Sequence, residues 1–227
     1  MSLDIKKIIQ YPLNNGQFFK EEEPKNQIVI HHTAGSSSPK IVIDGWNTNN
    51  DKIGTAFVIG GIPGRYDKFE DGDIFQCFSS KYYAYHLGIP AETFAKYKIP
   101  IYKRLDKTSI GIEICNWGFL EKQPNGTFKN YVGGIVPMDE AVDLGENYRR
   151  YKYYHAYTMA QLNSLKDLLI YLCNKYNIPK TYNAEMWDIN QAALNGQSGI
   201  WTHTSFRSDK TDCSKQPALI SMLKLII

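Results

Sequence analysis

The sequence predicts an α/β domain in which a central mixed β-sheet is flanked by helices. Short segments rich in β-branched residues alternate along the chain with segments of helical periodicity, and no flexible linker separates them. The 227 residues, of which 43% are apolar and 22% charged, suit one globular domain with a sizeable core. We therefore expect an N-terminal arm over residues 1–26 and one domain over residues 27–227.

The N-terminal part begins with this arm and continues with the first strand and helix. Pro12 and an Asn-Asn-Gly turn interrupt any regular pattern in the arm. The β-branched run over residues 27–33 predicts a strand that becomes polar at its C-terminal end. A glycine and three serines break this strand, and Pro39 fits the first turn of a helix that reaches about Asn49.

Three further strands are predicted in the middle of the chain. Residues 55–59 and 73–78 have strand composition, and the Asp-Gly pair at residues 71–72 predicts a turn before the second of them. Residues 109–115 form an almost continuously apolar run, which is typical of a central strand. The one charged residue in that run is Glu113.

The C-terminal part contains the clearest helix of the sequence. Its leucines recur at helical spacing over residues 158–176, and Thr158 with Gln161 predicts a capping box at its start. The preceding residues 118–150 are rich in Gly, Asn and Pro, and they predict a long surface excursion. The remaining predicted elements are a short strand at residues 200–203 and a closing helix at residues 217–227.

Composition and charge exclude several classes of protein. No run of about 18 apolar residues predicts a membrane span. The N-terminus lacks the apolar stretch of a signal peptide, so we expect a chain that stays in the cytoplasm of the producing cell or acts after release. The net charge of +3 is mild, and no basic stripe with interleaved aromatics indicates nucleic-acid binding. We expect neither a membrane nor a nucleic acid as partner.

Two histidines at strand ends indicate a metal site. His31 ends the first predicted strand and His203 ends the last, and Asp212 follows in a polar loop. Two imidazoles and one carboxylate form a known catalytic zinc set that leaves the fourth position for water. A single strand-end histidine is more often a hydrogen-bonded structural residue, so the prediction depends on the combination. The adjacent Cys213 is an alternative third ligand because thiolate binds zinc strongly.

Side chains alternate along a strand, so His31 and His32 point to opposite faces of the sheet and only one can enter the site.

Glu113 is a candidate catalytic residue, because a carboxylate in an apolar strand must be paired or must face a polar cavity. It is either a buried salt-bridge partner or a general base for metal-bound water. Lys210 is either a solvated loop lysine or a stabiliser of the oxyanion.

Six segments, in order, resemble motifs of the amidase-2 family, which includes peptidoglycan recognition proteins and phage amidase endolysins. The strand Ile28-Val-Ile-His-His-Thr-Ala-Gly35 resembles the opening signature of the family. The strand that carries Glu113 and the Lys210-Thr-Asp212 loop resemble two later motifs. The other three are Thr55-Ala-Phe-Val-Ile59 with Asp71-Gly-Asp-Ile-Phe-Gln76, His86-Leu-Gly88 and Tyr157-Thr-Met-Ala-Gln161.

The resemblance implies a zinc-dependent amidase that cuts the bond between N-acetylmuramic acid and L-alanine in peptidoglycan. It implies His31 and His203 as Zn²⁺ ligands and Asp212 as the third, because the family lysine stands two residues before that ligand. It further implies Glu113 and Lys210 as catalytic residues. We expect His86 and Thr55 to contact substrate; Thr55 stands where many members carry a catalytic tyrosine, which shifts that burden to Glu113.

Other functions remain open from the sequence. Some relatives only bind muropeptides, so a non-catalytic peptidoglycan-binding module is the alternative to an enzyme. A structural zinc protein is a weaker interpretation, because such sites usually have four Cys or His ligands. The sequence favours a phage endolysin that lyses the cell wall, or a cytoplasmic enzyme of muropeptides, over an autolysin.

Overall fold

The computed structural model describes residues 8–48, 50–100 and 103–226. Its centre is a six-stranded sheet, and its strands are β1 (Ile9–Gln10), β2 (Gln27–His32), β3 (Phe57–Ile59), β4 (Ile74–Gln76), β5 (Ser109–Ile114) and β11 (Gly199–Thr202). The strand order is β1-β4-β3-β5-β2-β11, and only the β3–β4 pair is antiparallel. The predicted mixed sheet is therefore confirmed.

The helices lie where the sequence predicts the three longest, and their bounds are α1 (Pro39–Trp46), α2 (Ala91–Lys96), α3 (Leu105–Thr108), α4 (Met159–Tyr176), α5 (Gln191–Leu194) and α6 (Pro217–Lys224). Helix α1 ends earlier than predicted; Asn49 and Ile227, the predicted ends of the first and last helices, lie outside the described residues. Helices α2, α3 and α5 have four to six residues, too few to show a helical period in sequence. The described helices are too short or too polar to span a lipid bilayer.

Helix α4 begins with the predicted capping box. The Thr158 hydroxyl accepts a hydrogen bond from the Gln161 backbone N–H at 3.0 Å, and the Gln161 side chain accepts one from the Thr158 backbone N–H at 3.1 Å. Such a cap contributes about 1 kcal/mol to stability. The leucines that carry the helical period are all buried, so this face of α4 packs into the core.

The segment that the sequence predicts as a surface excursion is mostly exposed or half-buried, and together with the residues that follow it forms a second sheet that the sequence did not indicate. Its antiparallel strands are β6 (Phe119–Lys122), β7 (Phe128–Lys129), β8 (Ile135–Val136), β9 (Ala141–Tyr148) and β10 (Tyr151–His155), in the order β8-β7-β6-β10-β9. Two of these strands have only two residues, and the buried apolar cluster is limited to Leu120, Phe128 and Val136. Turn residues therefore dominate the composition and conceal the strands.

Part of the predicted arm packs on the domain. Ile8 and Leu13 are buried in the main core, and β1 adds a parallel edge strand to the central sheet. A strand of two residues has no detectable period in sequence, so the arm was expected to be irregular. The division into an arm and one catalytic domain stays a prediction.

The parallel strands bring the candidate site residues to one edge of the sheet. Strand β2 lies between β5 and β11, and His31 is in register with Glu113 of β5. Strand β11 pairs Thr202 with Ile30, so His203 follows directly beside the end of β2. Because the carboxyl ends of parallel strands meet at one edge, the histidines and the glutamate lie close together there.

Candidate metal centre and active site

Three side chains meet at the carboxyl edge of the central sheet. His31 Nδ1 lies 3.1 Å from His203 Nδ1, and Asp212 Oδ2 lies 3.2 Å from the first of these atoms and 2.9 Å from the second. All three side chains are at most 12% exposed. Zinc ligands at bond lengths of about 2.0–2.1 Å occupy tetrahedral corners about 3.3 Å apart. The spacing of these three atoms therefore fits one zinc ion.

The hydrogen bond on the far side of His203 fixes the tautomer of its ring. His203 Nε2 lies 2.9 Å from the backbone carbonyl oxygen of Leu87, which can only accept a hydrogen bond. Nε2 must therefore carry a proton, and in the neutral ring Nδ1 carries the lone pair. That lone pair is directed toward Asp212 and His31, where a cation can accept it.

A longer chain of hydrogen bonds fixes the tautomer of His31 in the same way. The Ser109 hydroxyl donates to the Leu105 carbonyl at 2.7 Å, so its oxygen accepts from His86 Nε2 at 2.8 Å. His86 Nδ1 then accepts from His31 Nε2 at 3.0 Å. The lone pair of His31 therefore also resides on Nδ1. Two lone pairs and a carboxylate oxygen thus converge with no proton between them, an arrangement suited to a cation.

The electrostatics of His31 and Asp212 agree with a cation site. Burial, with a smaller contribution from His203, lowers the pKa of His31 to about 4, so its ring is neutral at physiological pH. Burial alone would raise the pKa of Asp212, but His203 and His31 hold it well below its usual range. His31 with a neutral ring and Asp212 as a carboxylate are in the protonation states that bind zinc.

Cys213 faces away from the cluster. Its side chain is buried, and its thiol contacts the Tyr157 hydroxyl. The same hydroxyl lies 2.9 Å from His32 Nδ1, on the opposite side of β2 from His31. His32 and Cys213 therefore belong to a polar contact beneath the sheet, and the group of described residues that could hold a metal ion comprises His31, His203 and Asp212.

Glu113 lies beside the cluster without a charged partner. Its residue is 9% exposed, and no described residue forms an ion pair or hydrogen bond with its carboxylate. Burial raises its pKa well above the usual range, Asp212 raises it further, and Lys210 opposes the shift. The absence of an ion pair within the described residues argues against the salt-bridge interpretation, and the raised pKa is typical of a general base.

The remaining predicted residues surround Glu113 in one cavity of about 210 Å³. Lys210 lines this cavity from the loop that carries Asp212, and Thr55 and His86 line it from the other side. The Thr55 hydroxyl donates to the Phe57 carbonyl at 2.9 Å, and both ring nitrogens of His86 are engaged by His31 and Ser109. Neither side chain has its polar atoms directed freely into the cavity.

The sequence did not indicate the residues that support the cluster. Ser109 and the Leu87 carbonyl orient the two histidines, and Asp106 accepts the backbone N–H groups of His86 and Leu87 at 2.8 and 2.9 Å. These contacts join segments 19 to 116 residues apart. A serine at a strand start and an aspartate in a short helix give no sequence signal of such roles.

A comparison with families of known proteins gives one match. The family model described as N-acetylmuramoyl-L-alanine amidase matches residues 21–216 of this chain, a range that includes every candidate site residue. None of the curated proteins matches the chain.

Solved structures show the same fold at low sequence identity. PlyL is 14% identical with a TM-score of 0.53, and the alignment covers 97% of this chain and 98% of that chain. A mutant endolysin from Bacillus subtilis is 15% identical with a TM-score of 0.53, over 100% and 99% of the two chains. The PlyG catalytic domain is 15% identical with a TM-score of 0.51, over 96% and 93%.

Proposed function

This chain belongs to the N-acetylmuramoyl-L-alanine amidase family, and we propose that it cuts the amide bond between N-acetylmuramic acid and L-alanine with a zinc ion held by His31, His203 and Asp212. The family assignment makes the chain an amidase and confirms the family resemblance of the sequence. One observation supports the proposed zinc site. Two unprotonated Nδ1 atoms and a carboxylate oxygen converge next to the unpaired carboxylate of Glu113.

The residues around the site then have distinct tasks in hydrolysis. Bound zinc supplies Lewis-acid chemistry and lowers the pKa of a water molecule toward about 7. Glu113 takes a proton from the attacking water and delivers it to the amine of the leaving L-alanine, as its raised pKa allows. Lys210 donates a hydrogen bond to the oxyanion that develops on the lactyl carbonyl oxygen.

His86 acts as a positioning residue and Thr55 as part of the cavity wall. His86 holds the tautomer of His31 through Nδ1, so its effect on catalysis is exerted through the metal ligand. The methyl group of Thr55 lies close to Gly111 on β5, where an added Cβ would approach it to 2.8 Å. Gly111 therefore lets Thr55 and His86 pack beside Glu113.

We assign the polymeric cell wall as substrate, in the manner of an endolysin. Full-length structural similarity to an endolysin from Bacillus subtilis supports this role. A digest of purified sacculi tests it directly, because an amidase releases peptides with a free L-alanine amine and leaves the glycan uncut. Cleavage of soluble muropeptides with intact sacculi would contradict wall lysis and indicate a cytoplasmic role instead.

Zinc removal is expected to abolish the activity. Exhaustive chelation should reduce amine release from sacculi to background, and stoichiometric zinc should restore it, because the water is activated only at the metal. Metal content by atomic spectroscopy should follow the activity. Full activity in a sample shown to be free of metal would rule out the proposed cofactor.

Lys210→Ala is expected to lower kcat by about 10-fold to 10²-fold. A single oxyanion donor is worth about 10²-fold to 10³-fold elsewhere, and zinc retains part of that stabilisation here. KM and zinc content should stay near the wild-type values. Lys210→Arg keeps the charge and serves as the matched control, and equal kcat for wild type and Lys210→Ala would make Lys210 a loop lysine without a catalytic role.

A further inference from the structure

A second cavity adjoins the candidate metal centre, between the β9–β10 turn and the loop that carries Asp212. Its volume is about 520 Å³, and it shares Ala34, Lys210 and Asp212 with the cavity of the metal centre. Its wall includes the stacked rings of Phe119 and Tyr151, whose centroids are 3.7 Å apart. The two cavities are therefore neighbouring parts of one groove.

The turn at the mouth of this second cavity has unusual residues. Tyr148 pairs with Tyr151, so Arg149 and Arg150 form a two-residue hairpin loop, with φ angles of 49° and 79°. A turn with positive φ at both central positions normally carries Asn-Gly, because a larger L side chain is disfavoured there. The presence of two arginines in this disfavoured conformation indicates that their side chains have a functional role.

Arg149 anchors the turn to the metal-site loop. Its guanidinium donates to the Asp188 carboxylate at 2.7 Å and to the backbone carbonyls of Ser208 and Thr204 at 3.1 and 3.2 Å. Thr204 directly follows the zinc ligand His203. This contact holds the hairpin beside the site and leaves the neighbouring arginine at the cavity.

Arg150 provides an uncompensated positive charge in the groove. It is exposed and lines the second cavity with Lys210, and neither side chain makes a hydrogen bond or ion pair with any described residue. The two carboxylates in the same wall are occupied. Asp209 is bound by Arg207 at 2.7 and 3.0 Å, and Asp212 by the two histidines. The cavity therefore suits an anionic ligand, above all a carboxylate.

We propose that Arg150 binds the first free carboxylate of the peptide that follows the scissile bond, that of the γ-linked D-glutamate. The assignment rests on the proposed function. On the glycan side the lactyl carboxyl group is consumed in the scissile amide, so the anionic groups of the substrate lie on the peptide side. The cavity that carries Arg150 adjoins the metal centre, which suits the first such group beyond L-alanine.

The test compares two synthetic substrates that differ in one group. Both are N-acetylmuramoyl-L-Ala-γ-D-Glu-L-Lys, with the D-glutamate α-carboxyl group either free or amidated. Wild type should cleave the free acid with kcat/KM about 10-fold or more above the amide, the size of one charge-assisted hydrogen bond. Arg150→Gly should bring the ratio close to 1, while its Tm is not lowered because glycine suits the positive φ.

Lys152→Ala is the matched control, since it removes one positive charge from the same hairpin. Lys152 pairs with Asp143 at 3.2 Å and does not line the cavity, so its variant should keep the wild-type ratio. If Arg150→Gly lowers Tm, Arg150→Asn gives the same comparison with a residue that also tolerates positive φ.

Each outcome has a definite consequence. A wild-type ratio near 1, an unchanged ratio in the Arg150 variants, or an equal loss in Lys152→Ala would overturn the assignment while the amidase function stands. Failure of the wild-type zinc enzyme to cleave either substrate would instead overturn the proposed function, and this assignment with it.

Discussion

Glu113→Gln is expected to lower kcat by about 10²-fold or more while zinc binding is retained. Glutamine keeps the size of the side chain but cannot accept the proton of the attacking water. Glu113 is in register with the proposed ligand His31, yet it belongs to a different strand and is not among the three side chains proposed to hold the metal. When both are measured on the same preparation, the metal content of the variant should be near wild type and its kcat should be strongly reduced.

The same substitution should not destabilise the metal-free protein. Burial raises the pKa of Glu113 in the folded state above its pKa in the unfolded state. The free energy of unfolding therefore falls as the pH rises through the unfolded-state pKa and then the folded-state pKa. At pH 7 the buried charge is a cost, and glutamine removes it. We expect Tm to rise by about 2–4 °C, the shift that about 1 kcal/mol gives a domain of this size.

These two measurements distinguish a general base from a structural residue. A buried salt-bridge partner would give the opposite pattern, with a lower Tm for Glu113→Gln and a kcat near wild type. Glu113→Asp serves as a control, because it keeps the base but withdraws it from the cavity by one methylene group. A kcat for the glutamine variant within a few-fold of wild type would remove Glu113 from the mechanism.

The sequence was sufficient for the residues whose signal is local. The strand that ends in His31, the apolar strand around Glu113 and the capping box at Thr158 each depend on a short pattern, and the fold follows from their order. The register that sets His31 opposite Glu113 depends on how two strands align across the sheet, and no pattern within either strand specifies it.

The missed features depend on contacts between distant segments. The ring of His86 forms hydrogen bonds with His31 and Ser109, which lie 55 and 23 residues away and which the sequence did not indicate as its partners. A contact between His86 and substrate stays a prediction. The second sheet was missed because its apolar cluster is small. The role of Arg149 and Arg150 was missed for the same reason, because they form the turn of a hairpin in that sheet. Their amino-acid types give no indication of the positive φ angles that they adopt.

Asp212→Ala is expected to lower zinc affinity by more than about 10²-fold, whereas Cys213→Ser should keep the metal. Loss of a residue that only supports a ligand typically costs about 10–100-fold, and removal of a ligand should exceed that range. Thiolate is the stronger zinc ligand in general, so the sequence alone left both residues open. The structure directs Asp212 Oδ2 to His31 and His203, and the buried Cys213 thiol to Tyr157.

Measured together, the two variants decide between the two donors. Zinc titration of the chelated proteins gives the affinities, and hydrolysis of sacculi at saturating zinc gives the activities. Cys213→Ser should retain both within a few-fold, with a modest loss of Tm from a hydroxyl in a site shaped for a thiol. Retention of zinc by Asp212→Ala together with its loss in Cys213→Ser would reverse the assignment. Lys210 would then stand three residues before the ligand instead of two, and its role at the oxyanion would lose its positional support.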